Sequence, residues 1–212
     1  MLPTREEFRQ ALIQRHGAAL QAKLEGSTVA VCGLGGLGSN LAIALARAGV
    51  GHLLLLDFDR VDLSNLNRQQ YKASQLGRRK TEAMAENLRE IAPYADLETY
   101  SLRITQETDL PALLGKADVI CEAFDEPEAK AVLVNGVLET LPGKYLIAAS
   151  GMAGLDSPNT IRTRRVGERF YLCGDGVSDV KEAGSLFAPR VMVCAAHQAH
   201  TALRILAGEY GV

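Results

Sequence analysis

The chain has 212 residues, 47% apolar and 23% charged, with a net charge of −2. This composition suits one globular domain with a sizeable core and excludes a disordered chain. The near-neutral balance, with no long basic run, argues against nucleic acid as the main partner.

In chain order, Thr4-Arg5-Glu6-Glu7 has the form of a capping box and predicts a helix from about Arg5 to Lys23. This charged N-terminus lacks an apolar signal core, and no uncharged apolar run approaches about 18 residues. No membrane contact is therefore expected, and the expected location is cytoplasmic. Gly26 releases the chain into an apolar strand, Thr28–Cys32, followed by Gly33-Leu34-Gly35-Gly36-Leu37-Gly38-Ser39 and an Ala/Leu-rich helix over about 40–47. A second apolar run, Leu53–Leu56, ends in Asp57-Phe58-Asp59. The order strand, glycine turn, helix, strand, acid is that of a nucleotide-binding βαβ unit. Its glycines let backbone approach phosphate, its helix start offers N–H groups to an anion, and its acid is placed for ribose hydroxyls.

The polar stretch from Asp59 to Gly77 reads as a functional loop and carries Ser64-Asn65-Leu66-Asn67-Arg68-Gln69. A helix follows from Lys80 to Ile91, stopped by Pro93, and then a third strand over 97–104. Asp118–Cys121 is a short buried strand leading into Glu122-Ala123-Phe124-Asp125, and Pro127 opens a helix to about Thr140. Tyr145–Ala149 is another strand, closed by Ser150-Gly151. Up to here the pattern predicts a Rossmann-like, doubly wound and mostly parallel α/β sheet. Residues 160–164 and 169–172 then read as a short antiparallel extension, 173–185 as a long mobile loop, and 191–206 as a helix apolar on most sides. That helix is expected in the core or in a subunit interface. No repeat or linker interrupts residues 1–212, so one domain is expected.

Four cysteines, Cys32, Cys121, Cys173 and Cys194, are widely spaced and form no Cys-x-x-Cys pair. They read as buried reduced thiols, and no zinc is expected. In an open parallel sheet, ligands sit beyond the carboxyl ends of the strands. The glycine loop, Asp57, Asp125 and Ser150-Gly151 all fall at such ends, with Arg68 and Lys80 in reach. Two cations suit a triphosphate, and Asp125 is a candidate Mg²⁺ ligand, since Mg²⁺ needs only one or two carboxylates beside phosphate oxygens. The local alternatives are ordinary: Asp125 as a helix N-cap near Pro127, Lys80 as a solvated helix-start lysine, and Glu82, Glu86 and Glu90 as a solvated face. His197 and His200, three apart on the last helix, read as packing residues rather than metal ligands.

The combination resembles the ubiquitin-activating-type adenylyltransferases, in particular the bacterial ThiF and MoeB branch. It is carried by Gly33–Ser39, Asp57-Phe58-Asp59, Ser64–Gln69, Gly77 with Lys80, and Asp125, in order over roughly residues 28–150. Cys121–Asp125, Tyr171–Asp175 and His197-Gln198-Ala199 fit a short ThiF-like branch. The resemblance implies a ThiF-like ATP-binding adenylation domain that uses ATP and Mg²⁺ to adenylate the C-terminal Gly-Gly carboxylate of a small ubiquitin-like sulfur carrier protein (ThiS-like) in thiamine biosynthesis, working as a homodimer. It assigns Arg68, Lys80 and Asp125 to catalysis, Asp125 to the metal, and Gly33, Gly35, Gly36, Gly38, Asp57, Asp59, Ser64, Asn65, Arg68, Gln69 and Lys80 to the nucleotide. The chain departs from longer members in lacking their two Cys-x-x-Cys pairs. Some members use a downstream cysteine that joins the carrier, and Cys173 lies in that region. Many take an arginine from the partner's N-terminal segment, for which Arg5, Arg9 and Arg15 are candidates. The alternatives are the same chemistry on another carrier such as a MoaD-like molybdopterin protein, a binding module without chemistry, and an NAD-binding Rossmann oxidoreductase. The last requires a catalytic His, Tyr or Lys beside the nicotinamide, and no such motif is evident.

Overall fold

The computed structural model describes residues 2–212, and Met1 lies outside them. Seven strands form one sheet: β1 (Thr28–Cys32), β2 (His52–Leu56), β3 (Asp96–Tyr100), β4 (Val119–Glu122), β5 (Tyr145–Ala149), β6 (Arg162–Arg165) and β7 (Phe170–Gly174). Their order is β3-β2-β1-β4-β5-β7-β6. All neighbours are parallel except β6 and β7. The sequence anticipates the antiparallel pair but not the partner on its other side: β7 pairs parallel with β5.

Period-two alternation explains the two-sided core. Val29, Val31, Leu53, Leu55, Val119, Cys121 and Ile147 face one side of the sheet. They pack there with residues of α3 (Gly36–Arg47), α4 (Lys80–Ile91) and α8 (Ala188–Ala207). Ala30, Cys32, Leu54, Leu56, Ile120 and Leu146 face the other side, against α5 (Leu110–Leu114) and α6 (Pro127–Thr140). Helix α8 lies against α3, α2 (Ala18–Glu25) and strands β4 to β7, which accounts for its wide apolar surface.

Three local expectations change. The single N-terminal helix is two, α1 (Arg5–His16) and α2, because Gly17 adopts φ 87°. A side chain at Gly17 would meet no neighbour, so the left-handed conformation and not crowding selects glycine there. The third strand stops at Tyr100, and α5, capped by the Asp109 side chain, appears where no helix was anticipated. The 173–185 segment is not an unbroken loop: it starts in β7 and contains α7 (Val180–Ala183), and Asp175 N donates to Gly151 O, Gly176 N to Ser150 O and Ala153 N to Ser178 Oγ. No helix among the described residues is long and apolar enough to cross a membrane.

Candidate functional site

Strand order reverses between β1 and β4, and the turns at their carboxyl ends touch. Gly33 has φ 98°, and a Cβ there would lie 2.7 Å from Ala123 O. A Cβ on Gly38 would lie 1.8 Å from Gly33 O. These two positions must be glycine for β1 to turn directly into α3 beside the end of β4. Helix α3 starts at Gly36 with Gly35 as N-cap and no side-chain cap, so its first-turn N–H groups are free to meet an anion.

The acids and cations around this helix start form a linked set. Asp57 Oδ2 accepts from Leu34 N–H at 2.7 Å and Asp57 Oδ1 from Asp59 N–H at 2.7 Å, locking the glycine loop to the end of β2. Burial pushes the Asp57 carboxyl up, while Lys80 and the two backbone N–H groups oppose the shift. Lys80 is only 5% exposed, with Nζ 2.8 Å from Asp59 Oδ2 and 4.0 Å from Asp57 Oδ2. It is thus no solvated lysine, and the two carboxylates it faces explain how a cation can open α4 against the helix dipole. Arg68 lies over Gly36, where an added Cβ would come within 3.1 Å of its side chain. Its guanidinium donates to Asn65 Oδ1 at 3.1 Å and Asn67 Oδ1 at 2.9 Å. Gln69 is buried close to Gly35, and its Oε1 is one of three buried side-chain atoms without a hydrogen-bond partner among the described residues. An orphaned buried acceptor beside an uncapped helix start is a mark of a polar ligand site.

Two expected residues stand apart from this set. Ser64 is exposed and gives its hydroxyl to Asp62 Oδ1, closing a short turn over Leu63–Asn65. Asp125 is exposed beyond β4, across the switch point from Arg68 and Lys80. The N-cap of α6 is Glu126, so capping does not explain Asp125. Among the described residues no three His, Cys, Asp or Glu side chains gather around a common point. One exposed carboxylate at the end of β4 still fits Mg²⁺, whose remaining ligands would be phosphate oxygens and water.

Several supporting residues were not singled out from sequence. Tyr71 OH donates to Leu34 O, and Gln70 N–H to Ser39 Oγ, fastening the 64–71 segment onto the glycine loop. Glu122 is fully buried. Burial raises its carboxyl, and Lys130 holds it with a short ion pair, while Phe124 N–H donates to Oε1 at 2.7 Å. A lone acid ending the apolar run Val119-Ile120-Cys121 was the available signal. Arg190 is buried and spends all five guanidinium N–H groups. They go to Ala153 O, Asp156 O, Ser157 O, Thr160 Oγ1 and Asp175 Oδ2. That clamp fixes the two loops beyond β5 and β7.

All four cysteines are buried and free. Cys173 is fully buried beside Thr163 Oγ1, and burial raises its thiol, which makes it a poor nucleophile in this conformation. His197 Nδ1 lies 3.0 Å from Thr163 Oγ1, and His200 is exposed. On the acidic face of α4, Glu86 pairs with Arg78 and Glu90 with Lys72, while Glu82 is exposed to solvent as expected. In the N-terminal helix Arg9 pairs with Glu25 and Arg5 reaches Tyr94 O, whereas Arg15 is exposed. A cavity of about 160 Å³ lies under α1, between Phe8, Leu12, Gln21, Gly49 and Tyr94, away from the glycine loop.

Fold and crevice together define a Rossmann-like, doubly wound α/β protein with an uncapped helix start and a buried lysine at its switch point. The chain belongs to the ThiF family, whose sequence profile matches residues 8–211. It is 32% identical over 209 residues to the molybdopterin-synthase adenylyltransferase of Escherichia coli, covering 96% of this chain and 82% of that protein. It is 30% identical over 216 residues to the adenylyltransferase and sulfurtransferase UBA4 of Lodderomyces elongisporus, spanning 97% of this chain but only 47% of that relative. Among solved structures, E. coli tRNA N6-threonylcarbamoyladenosine dehydratase, TcdA, in complex with ATP, has a TM-score of 0.86 at 21% identity, with 98% of each chain covered. E. coli MccB with ATP has a TM-score of 0.67 at 23% identity, covering 91% of this chain and 58% of that one. Both likenesses establish the fold.

Proposed function

We propose that these 212 residues form one adenylation domain that transfers AMP from ATP to the C-terminal Gly-Gly carboxylate of a small ubiquitin-like sulfur carrier. The observation that carries the reading is the pairing of an uncapped α3 start with Arg68 above it and the buried Lys80 beside it. A terminal carboxylate has a pKa of about 3.5 and is ionised at neutral pH, so the attacking group needs no general base. Catalysis then rests on alignment at the α-phosphate and on neutralising growing negative charge. In this reading Gly33, Gly35, Gly36 and Gly38 let the backbone reach the phosphates, and Asp57 and Asp59 face the ribose. Ser64, Asn65, Arg68, Gln69 and Lys80 hold the triphosphate. Asp125 holds Mg²⁺, which would screen phosphate charge and favour departure of pyrophosphate.

The substrate favoured is a ThiS-like carrier of thiamine biosynthesis, because the Cys121–Asp125 and Tyr171–Asp175 segments fit the short ThiF-like branch. The 32% identity to the molybdopterin-synthase adenylyltransferase supports a MoaD-like carrier as the second reading. A homodimer in the cytoplasm completes the proposal. Arg15 is then the arginine offered to the partner's site, since Arg5 and Arg9 are engaged within their own chain. The test is ATP–pyrophosphate exchange with purified ThiS-like and MoaD-like carriers in parallel. Exchange with the first alone supports the pathway assignment. Exchange with the second alone moves the enzyme to the molybdopterin branch, and exchange with neither removes the carrier assignment.

A further inference from the structure

Arg103 belongs to none of the motifs above, yet it joins two turns on either side of the crevice. Its guanidinium stacks on the Phe58 ring, 4.4 Å from the centroid. The same group forks onto Glu126: Nη1 lies 3.3 Å from Oε2 and Nη2 lies 3.3 Å from Oε1. Arg103 follows β3, Phe58 follows β2 and Glu126 follows β4. The sheet order puts β1 and its glycine loop between β2 and β4. With strands about 4.8 Å apart, the side chain links turns roughly 14 Å distant and crosses the carboxyl edge of the sheet at the switch point.

The side on which it crosses is also fixed. Tyr100, Leu102 and Phe124, the residues flanking this link, pack into the core facing α5 and α6. The cradle made by α3, Arg68 and Lys80 lies on the opposite side, facing α4 and α8. Phe58 stands between Asp57 and Asp59, the two acids read above as facing the ribose, so the link lies beside the nucleoside end of the crevice, and its contacts include neither Arg68 nor Lys80. A surface ion pair is ordinarily worth little. This one is a two-point fork with an aromatic face behind it, and each partner comes from a separate turn.

Resting on the adenylation reading above, we propose that Arg103, with Phe58 and Glu126, is a nucleoside-retaining strap that slows release of ATP and AMP and leaves phosphate binding untouched. Slow release keeps an activated acyl-adenylate in place for the step that follows. All three residues are half-exposed, so the strap can open without unfolding the turns.

The test is stopped-flow displacement, with the full-length wild-type chain, Arg103→Ala and Glu126→Gln. The probe is an ATP labelled on its γ-phosphate, distant from the strap, with Mg²⁺ present and unlabelled ATP or AMP as chase. Arg103→Ala should release the probe about three- to tenfold faster, the scale of one exposed ion pair plus one cation–π contact. Glu126→Gln should give a smaller increase. The difference from wild type should shrink near 1 M salt. Inhibition by pyrophosphate and the melting temperature should not move. Equal release rates in wild type and Arg103→Ala would overturn the proposal, as would faster release accompanied by a lowered melting temperature or weakened pyrophosphate inhibition. A wild-type chain that fails to bind the probe would remove the adenylation reading itself, and the strap with it.

Discussion

Lys80 Nζ sits 2.8 Å from Asp59 Oδ2 and 4.0 Å from Asp57 Oδ2, so the buried cation at the start of α4 is shared by both acids at the end of β2. One side chain therefore serves stability and charge at the crevice together. Lys80→Ala should lower adenylation by about 10²–10³, the scale for one lost preorganised electrostatic contact. It should also lower unfolding free energy by about 1–3 kcal/mol, because the buried Asp57 loses its counter-charge. Pyrophosphate exchange and urea unfolding of one preparation check both. An active variant, or one of unchanged stability, would contradict the double role.

Arg68→Ala separates the two effects. Arg68 is half-buried, and its guanidinium bonds, among the described residues, only to Asn65, Asn67 and the nearby Ser64 O. Exchange should fall by a factor of about 10²–10³, with the melting temperature nearly constant. Near-native turnover would remove Arg68 from the phosphate site.

Asp125→Asn should act through the metal. The carboxylate is exposed and caps no helix, so folding should not change. The Mg²⁺ concentration giving half-maximal exchange should rise while ATP binding without metal stays the same. A variant whose Mg²⁺ dependence matches wild type would show that Asp125 is not the ligand.

How much of this was legible in the sequence depended on the range of the interactions. The starts of α4 at Lys80 and α6 at Pro127 were readable, because proline and periodicity act within one turn. The break at Gly17 was hidden inside a continuous helical pattern, since glycine is tolerated in helices and reveals its φ only in the fold. The partner of β7 was unreadable for another reason: alternation marks a strand but not its neighbour. Within the site, the types and order of Asp57, Arg68, Lys80 and Asp125 were evident. The ion pair of Lys80 with Asp59 was not, because it depends on α4 docking beside β2. Arg190 was not singled out, because it lies just before the expected 191–206 helix and its five acceptors come from loops 15 to 37 positions away.

The Arg190 clamp has its own signature in acid. Burial alone would raise the Asp175 carboxyl. Hydrogen bonds from Ser178, Val177 and Arg190 outweigh burial and hold it at about 2. An unfolded aspartate titrates near 3.9, so the contribution is present above roughly pH 4 and is lost as pH falls toward 2. Urea unfolding of wild type and Asp175→Asn should differ by a constant amount from pH 7 to 5 and converge below pH 4. Arg190→Ala, which leaves Asp175 without its counter-charge in a buried setting, should destabilise by about 3–5 kcal/mol. A pH-independent difference between wild type and Asp175→Asn would show that the carboxylate's charge is immaterial to the clamp.

Nucleotide choice follows from charge. Two cations, Arg68 and Lys80, beside the uncapped α3 start suit a triphosphate, which carries more negative charge than a dinucleotide's pyrophosphate diester, so calorimetry should give tight binding of ATP with Mg²⁺ and weak or no binding of NAD. Tighter binding of NAD would favour the oxidoreductase reading.

The most direct measurement is ATP–pyrophosphate exchange with a carrier bearing an intact C-terminal Gly-Gly and with the same carrier lacking those two residues. The expected result is Mg²⁺-dependent exchange with the intact carrier only, abolished by Arg68→Ala. Exchange that is absent with intact carriers, or equal with and without the terminal Gly-Gly, would contradict carboxylate adenylation as the work of this site.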